Sequence, residues 1–481
     1  MKFLFFTPTT PNPSCVKKRR CNKLGIMPLR SYNILFAIRD AESFHYKHIL
    51  TELAFRGHRV RVVYDTRWTN ESELEKLKQC TAEYSHVEYR PALHRKGLGR
   101  IALFYVREIL SYRRYLLIPQ QSSFFRERWK GYLPALVRRI VSYQWVEYLF
   151  KSSIMGQLGW MIERMIPSSR HVRRDITLFA PDVIFASPLT LRFSSTEVEY
   201  VKAGMALGIP CVSSVLTWDN LSSKGLIHVW PTRLLVWNKD QVREANECLF
   251  FPRERMRIVG ATMFDDWFEK SRIATDRIIF CRQHGLDPGH PIVLYLGSSQ
   301  RTGDETWIVE RLYQALRSAN DPRLQRTQLI VRPHPANSSH YKKINLSGVH
   351  IIPQEGMLPI GASAFQLFFD SIHHAVCSVM GVGTSGTLDT MIAGKPALAI
   401  ISDTYKEYQV QAYNFQHLLR ADALETVGTP EECMPIIQAI YNGKDSKQAK
   451  RETFIRDFVR PRGIEKNVGV IIADEIESLV R

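Results

Sequence analysis

From Asn33 onward the chain alternates short apolar runs with longer amphipathic stretches, and Gly, Pro or Asp stands at many of the joins. "NILFAI" (33–38) predicts a strand, "RDAESFH" a polar turn, "YKHILTELAFRG" a helix and "HRVRVVYD" a second strand. Within that helix His48, Leu50, Leu53 and Ala54 leave one apolar stripe, and Gly57 suits the residue that ends it. Strand, helix and strand in this order form a β-α-β unit, whose strands must be parallel.

The alternation resumes at 182 and again at 291. "DVIFASP", "CVSSVL", "TRLLVWNK" and "RMRIVGA" read as strands separated by helices over 197–210 and 240–251. After 263–290, "PIVLYLGSSQ", "TQLIVRPHP", "VHIIPQ", "HHAVCSVM" and "KPALAII" repeat the pattern. The expected fold is α/β, with two Rossmann-like domains facing each other across a cleft. The expected parts are a tail or mis-called start over 1–31, an N-terminal domain over 32–262, a C-terminal domain over 263–452 and a terminal helix within 453–481. That last helix suits packing on either domain, and Met27 is an alternative start.

Charge changes this picture at two places. Residues 1–31 carry seven Lys or Arg and no acid, and 94–174 carry sixteen against four Glu, which together account for the net charge of +18. Thirteen aromatics interleave with the cations of 94–174, and Leu133, Leu136, Val137, Ile140 and Val141 beside Arg138 and Arg139 predict an amphipathic helix. The expectation is a basic helical insert in the N-terminal domain. It either touches an anionic membrane peripherally or forms a helical subdomain whose Arg side chains reach out to solvent. No apolar run approaches the roughly 20 residues that span a bilayer, and no nucleic-acid-binding signature is present. The eight cysteines are scattered without metal-ligand spacing, and the N-terminal cations follow the apolar run rather than precede it. Reduced thiols and a cytoplasmic location are expected.

"GVGTSGTLDTMIAGKP" (381–396) lies between a strand and a helix, where open α/β sheets bind ligands. Gly381 and Gly383 permit a close backbone approach, Thr384 and Ser385 add hydroxyls to a helix start that favours phosphate, and Asp389 follows about 6 Å into the helix. The same residues also suit a capped helix. Ser298 and Ser299 follow a second strand, and Arg332 and His334 a third. Together these groups fit a diphosphate.

With "RPHP" before it, "QAYNFQHLL" after it, and "SVLTWDNLSSKG", "LLVWNKDQVREA" and "RIVGATMFDDWF" upstream, "GTSGTLDTMIAGKPALAI" resembles the GT-B glycosyltransferases of bacterial surface-carbohydrate type. These belong to the glycogen-phosphorylase and sugar-nucleotide-transferase superfamily. The resemblance covers roughly 32–425. It implies a nucleoside diphosphate sugar held by the C-terminal domain, a surface-glycan or lipid-linked acceptor held by the N-terminal domain, no cofactor and no obligatory metal. By position it puts Gly383, Thr384 and Ser385 on phosphate and Asp389 on ribose, where many relatives carry Glu. It puts Arg332 and His334 beside the diphosphate and Gln411 at the sugar. Asp265 and Asp266 are adjacent acids that diverge on a helix, and are not read as metal ligands.

Inverting transfer needs a base for the acceptor proton. Asp219 and Asp40 are the first candidates and His45 the next; a retaining reaction needs none of them. Asp219 also suits a simple Asx turn. The rival readings are a CDP-polyol phosphotransferase of teichoic-acid type, a sugar-nucleotide 2-epimerase, and a non-catalytic nucleotide-binding scaffold.

Overall fold

The computed structural model describes residues 30–118, 123–190, 196–298, 303–381 and 385–481. Among them, thirteen strands form two wholly parallel sheets. In the first, β1 (Asn33–Ile38), β2 (Arg59–Tyr64), β3 (Val87–Pro91), β4 (Val183–Ser187), β5 (Cys211–Ser214), β6 (Arg233–Val236) and β7 (Met256–Ile258) lie in the order β3-β2-β1-β4-β5-β6-β7. In the second, β8 (Ile292–Leu296), β9 (Gln328–Arg332), β10 (Val349–Ile351), β11 (Cys377–Met380), β12 (Ala397–Ile400) and β13 (Glu425–Val427) lie in the order β10-β9-β8-β11-β12-β13. The central strands are buried on both faces, as sheets covered by helices on each side require. This is the two-domain α/β architecture of the GT-B fold. Strand order reverses between β1 and β4 and between β8 and β11, and ligands bind beside such switch points.

The helix Val468–Glu477 resolves the choice that the sequence leaves open, for it packs on the first sheet's helix Ser43–Phe55. Gly469 makes the approach possible: a Cβ there would lie 2.6 Å from the His48 carbonyl carbon. Asp265 Oδ1 and Oδ2 accept the backbone N–H groups of Val468 and Gly469 at 3.1 and 3.0 Å, and Arg460 Nη1 lies 2.6 Å from Oδ1. Asp265 therefore caps the helix that carries the chain back to the first domain. Across the other side of the junction, His417 Nε2 lies 2.6 Å from Glu244 Oε1, and both residues are buried.

The basic segment is helical, built on Leu98–Leu117, Gln144–Lys151 and Ser153–Met165. The amphipathic helix expected over Leu133–Val141 is corrected. Only Ala135–Ile140 is helical, while Leu133 and Val141 turn inward with Tyr112, Tyr115, Trp129, Val146 and Phe150 into a small local core. Leu136, Arg138, Arg139 and Ile140 are all exposed, so cations and apolar groups are not segregated there. No helix among the described residues is long and apolar enough to cross a membrane. Cys80, Cys211, Cys248, Cys281, Cys377 and Cys433 are free thiols.

Candidate active site

A cavity of about 420 Å³ lies between the two sheets and takes walls from both domains. The first domain supplies Glu42 and His45 after β1 and Thr217 to Asp219 after β5; the second supplies Ser385, Asp389 and Asn414. Trp267, from the segment leaving the first domain, closes one side.

The loop after β5 is shaped by Asn220, whose Oδ1 accepts the N–H groups of Leu216 and Thr217 at 3.0 and 3.1 Å. Asp219 beside it is fully engaged. Its Oδ1 accepts the Thr217 hydroxyl at 2.7 Å, its Oδ2 the Ser223 hydroxyl at 2.7 Å, and Lys224 Nζ lies 3.2 Å from Oδ2. Burial opposes ionisation, but Lys224, Ser223 and Thr217 outweigh it and hold this carboxyl well below its ordinary range.

His45 is buried at the cavity, with Nε2 3.4 Å from Glu42 Oε2 and no partner for Nδ1 among the described residues. Asp40 stands at the switch point just before them but outside the cavity lining. Burial, with Glu42 beside it, pushes its carboxyl up to about 6.

On the facing side, Ser385 starts the helix Ser385–Ile392 and Asp389 lies one turn in. Trp267 Nε1 donates to Asp389 Oδ1 at 2.7 Å. The indole is fixed among Phe365, Phe368 and Phe369, with ring centroids 5.4, 6.1 and 5.2 Å away. Burial pushes the Asp389 carboxyl up to about 7, although the indole N–H favours its ionised form.

The remaining sequence candidates divide. The three strand ends that carry Ser298, Arg332 and Gly381 are neighbours, because β9, β8 and β11 are adjacent in the sheet. Ser298 and Gly381, however, are taken up within the domain. The Ser298 hydroxyl donates to Glu305 Oε1 at 2.8 Å, and its backbone N–H to Glu305 Oε2 at 2.8 Å. Gly381 has no open face: a Cβ would meet Ile308 Cδ1 at 2.5 Å and Glu305 Oε1 and Tyr295 Oη at 2.9 Å. His334 accepts the Ala336 N–H through Nδ1 at 3.2 Å, and burial lowers its pKa.

Arg332 is buried over the Phe368 ring and donates to Ser371 Oγ at 3.4 Å, while its Nη2 has no partner among the described residues. Burial lowers this guanidinium to about 10. Gln411 is exposed and outside the cavity lining, where Asn414 stands instead. Ser299, Gly383 and Thr384 lie outside the described residues. Sequence reasoning missed Asn414 and Trp267; the available signal for the second was an indole beside two acids in "FDDWF".

Among the described residues His48, Asp266 and Glu269 have metal-capable spacing. Lys47 Nζ lies 2.5 Å from the Asp266 carboxylate and His48 Nε2 2.9 Å, so its negative charge is already matched. Burial opposes its ionisation, yet His48 and Lys47 hold the carboxyl at about 2.

No family model matches the chain, and no curated protein does. Solved structures match over more than nine-tenths of its length. The chain is similar to a glycosyltransferase from Rickettsia africae ESF-5, with a TM-score of 0.52 and 10% identity over 93% of this chain and 99% of that one. It is similar to the UDP-GlcNAc 2-epimerase of Methanocaldococcus jannaschii, with a TM-score of 0.52 and 11% identity over 93% and 99% of the two chains. A third match is the glycotransferase of kitacinnamycin, with a TM-score of 0.50 and 12% identity over 94% and 100%. At these identities the likeness is one of fold.

Proposed function

We propose that this chain is a GT-B glycosyltransferase that moves a sugar from a nucleoside diphosphate to a surface-glycan or lipid-linked acceptor, at the cytoplasmic face of a membrane and without a metal. The observation that carries the reading is a cavity to which both domains contribute polar groups beside their switch points. Ser385 and the start of its helix suit the donor phosphates, and Asp389 a ribose hydroxyl. The Lys47 ammonium on Asp266 favours metal independence over a cation held there.

In an inverting transfer the acceptor oxygen bonds to the sugar's anomeric carbon, the bond from that carbon to the diphosphate breaks, and the acceptor proton passes to a base. We assign that base to His45. It lines the cavity with a carboxylate at one nitrogen, whereas the Asp219 oxygens are already taken by Thr217, Ser223 and Lys224.

The test is a thermal-shift panel of UDP, GDP, CDP, ADP and CMP on the wild type and Asp389→Ala. A ligand at 100 times its Kd adds about 2.7 kcal/mol. One diphosphate stabilising the wild type but not the variant supports a nucleotide-sugar site; a response to none overturns it. A preference for CDP points to polyol-phosphate transfer. Epimerisation of the sugar without an acceptor points to a 2-epimerase, and binding without turnover to a scaffold.

A further inference from the structure

The basic insert has two faces of opposite character. Its inner face grips the loop that carries Asp219. Arg114 donates to the carbonyls of Leu221, Ser222 and Gly225 at 3.1, 2.6 and 3.3 Å, Tyr115 Oη to Lys224 O at 2.8 Å, and Arg128 to Ser223 O at 2.7 Å. Two of its sixteen cations, Arg107 and Arg114, are therefore buried structural groups, and Arg107 also pairs with Glu163 at 2.9 Å.

Its outer face is apolar where a soluble surface is normally polar. In the helix Ser153–Met165, Gly156, Gly159 and Glu163 turn toward Leu98–Leu117; a Cβ on either glycine would fall 2.7 Å from Arg113 or Leu110. At 100° per residue, Ile154, Leu158, Met161 and Met165 lie about 160° away on the opposite face. All four are exposed, Ile154 to 75% and Met165 to 71%. The adjoining helix Gln144–Lys151 buries Val146 and Phe150 and exposes Trp145 to 69% and Tyr148 to 74%. Both helices pack on Leu98–Leu117 and on each other, so their outward faces adjoin. A contiguous apolar surface of this kind is a docking surface rather than scattered exposure.

Charge selects the occupant. Arg138, Arg139, Lys151 and Arg164 are exposed on the same helical segment. Of the insert's four acids, Glu108 and Glu163 are buried, Glu147 Oε1 lies 2.8 Å from Lys151 Nζ, and Glu127 lies 3.7 Å from Arg126 Nε and 3.9 Å from Lys130 Nζ. Exposed Trp, Tyr and aliphatic groups on a segment where Arg138, Arg139 and Arg164 are exposed, and no acid among the described residues is paired with them, match the interface of an anionic bilayer.

We propose that the faces of Gln144–Lys151 and Ser153–Met165 dock on an anionic phospholipid bilayer, with Trp145, Tyr148, Ile154 and Leu158 entering the interface and the arginines meeting the headgroups. The inner face then holds the Asp219 loop at a fixed place relative to that surface. The benefit of docking rests on the transferase reading, because it presents the cleft to a lipid-linked acceptor.

The experiment is flotation of the full chain with phosphatidylcholine vesicles, with and without phosphatidylglycerol, at low salt. It compares the wild type with Trp145→Ser/Tyr148→Ser/Ile154→Ser and with Arg138→Glu/Arg139→Glu. The wild type is expected to float only with phosphatidylglycerol, and each variant to bind at least tenfold more weakly while keeping its unfolding temperature. Failure of the wild type to float, or undiminished binding by the serine variant, overturns the proposal. So does concentration-dependent dimerisation that the serine substitutions abolish without any vesicle binding, since a second copy then covers the face. Nucleotide-induced thermal shifts are read without vesicles, so loss of the donor reading and loss of the docking reading are separate results.

Discussion

Trp267 and Asp389 join the segment leaving the first domain to the first helix turn beyond β11, the indole Nε1 donating to the carboxylate at 2.7 Å inside the cleft. The contact puts a buried carboxyl, the residue proposed for the donor ribose, under the control of the interdomain segment. It also sets two opposed influences on one group: burial favours the protonated acid and the indole N–H the ionised one.

Trp267→Phe keeps a ring among Phe365, Phe368 and Phe369 but removes the donor. Near pH 8 the loss leaves a buried carboxylate oxygen unsatisfied, and the expected cost is about 1–3 kcal/mol. Urea unfolding measures it, and an unchanged midpoint at that pH contradicts the contact.

Asp389→Asn tests the burial of the charge itself. The carboxyl sits at about 7 in the folded protein, against an ordinary value of roughly 3.9 when unfolded. Between those values the folded state holds the proton and the unfolded state releases it, so stability falls as pH rises from about 4 to about 7. The upper bound on this loss is about 4 kcal/mol. The Asn variant lacks the titration, so it should be the more stable protein above pH 7, with the gap closing toward pH 4. Parallel stability curves for the two proteins would mean that the carboxyl is not held up. If Asp389 also contacts the donor, the same variant gains stability while losing nucleotide affinity.

Much of the architecture is legible in the sequence because most strands of both sheets are buried runs with turn residues at their ends. The strand over Val87–Pro91 is not, being an edge strand with intermediate and exposed positions and a terminal Pro. The three-residue β13 is too short for any periodicity to register. At the site, the sequence locates strand ends correctly but not which way their side chains turn. Ser298 is drawn inward by Glu305, seven residues later, and Gly381 by the packing of Ile308 and Tyr295. Asp389 was identifiable as a cleft residue from its offset along the helix. Its partner was not, since Trp267 is 122 residues away and meets it only through the domain junction. In the basic insert the stripe at Ile154, Leu158, Met161 and Met165 keeps helical spacing, but spacing alone does not say whether that stripe or the glycine face turns toward Leu98–Leu117.

Gly469→Ala separates close packing from helix propensity. In a free helix the change gains roughly 0.5–1 kcal/mol. Here the new Cβ meets the His48 backbone carbon and oxygen at 2.6 and 2.7 Å, so the terminal helix must move and loosen the two N–H bonds to Asp265. Destabilisation of about 1–3 kcal/mol is expected. A rise in the urea midpoint would show that the terminal helix does not sit on Ser43–Phe55 as described.

His45→Gln and Asp219→Asn distinguish the two candidate bases. The His45 change should lower turnover by about 10²–10⁴-fold, the range of a lost general base, with the nucleotide-induced thermal shift intact because the groups proposed for the donor lie in the other domain. Asp219→Asn removes the charge that matches Lys224 and weakens a loop held by Thr217 and Ser223, so its principal effect should be on stability. Steady-state turnover and the thermal shift, measured on both variants, decide the assignment. The reverse pattern, with Asp219→Asn inactive but stable and His45→Gln active, would move the base to Asp219 and require its three donors to let go when acceptor binds.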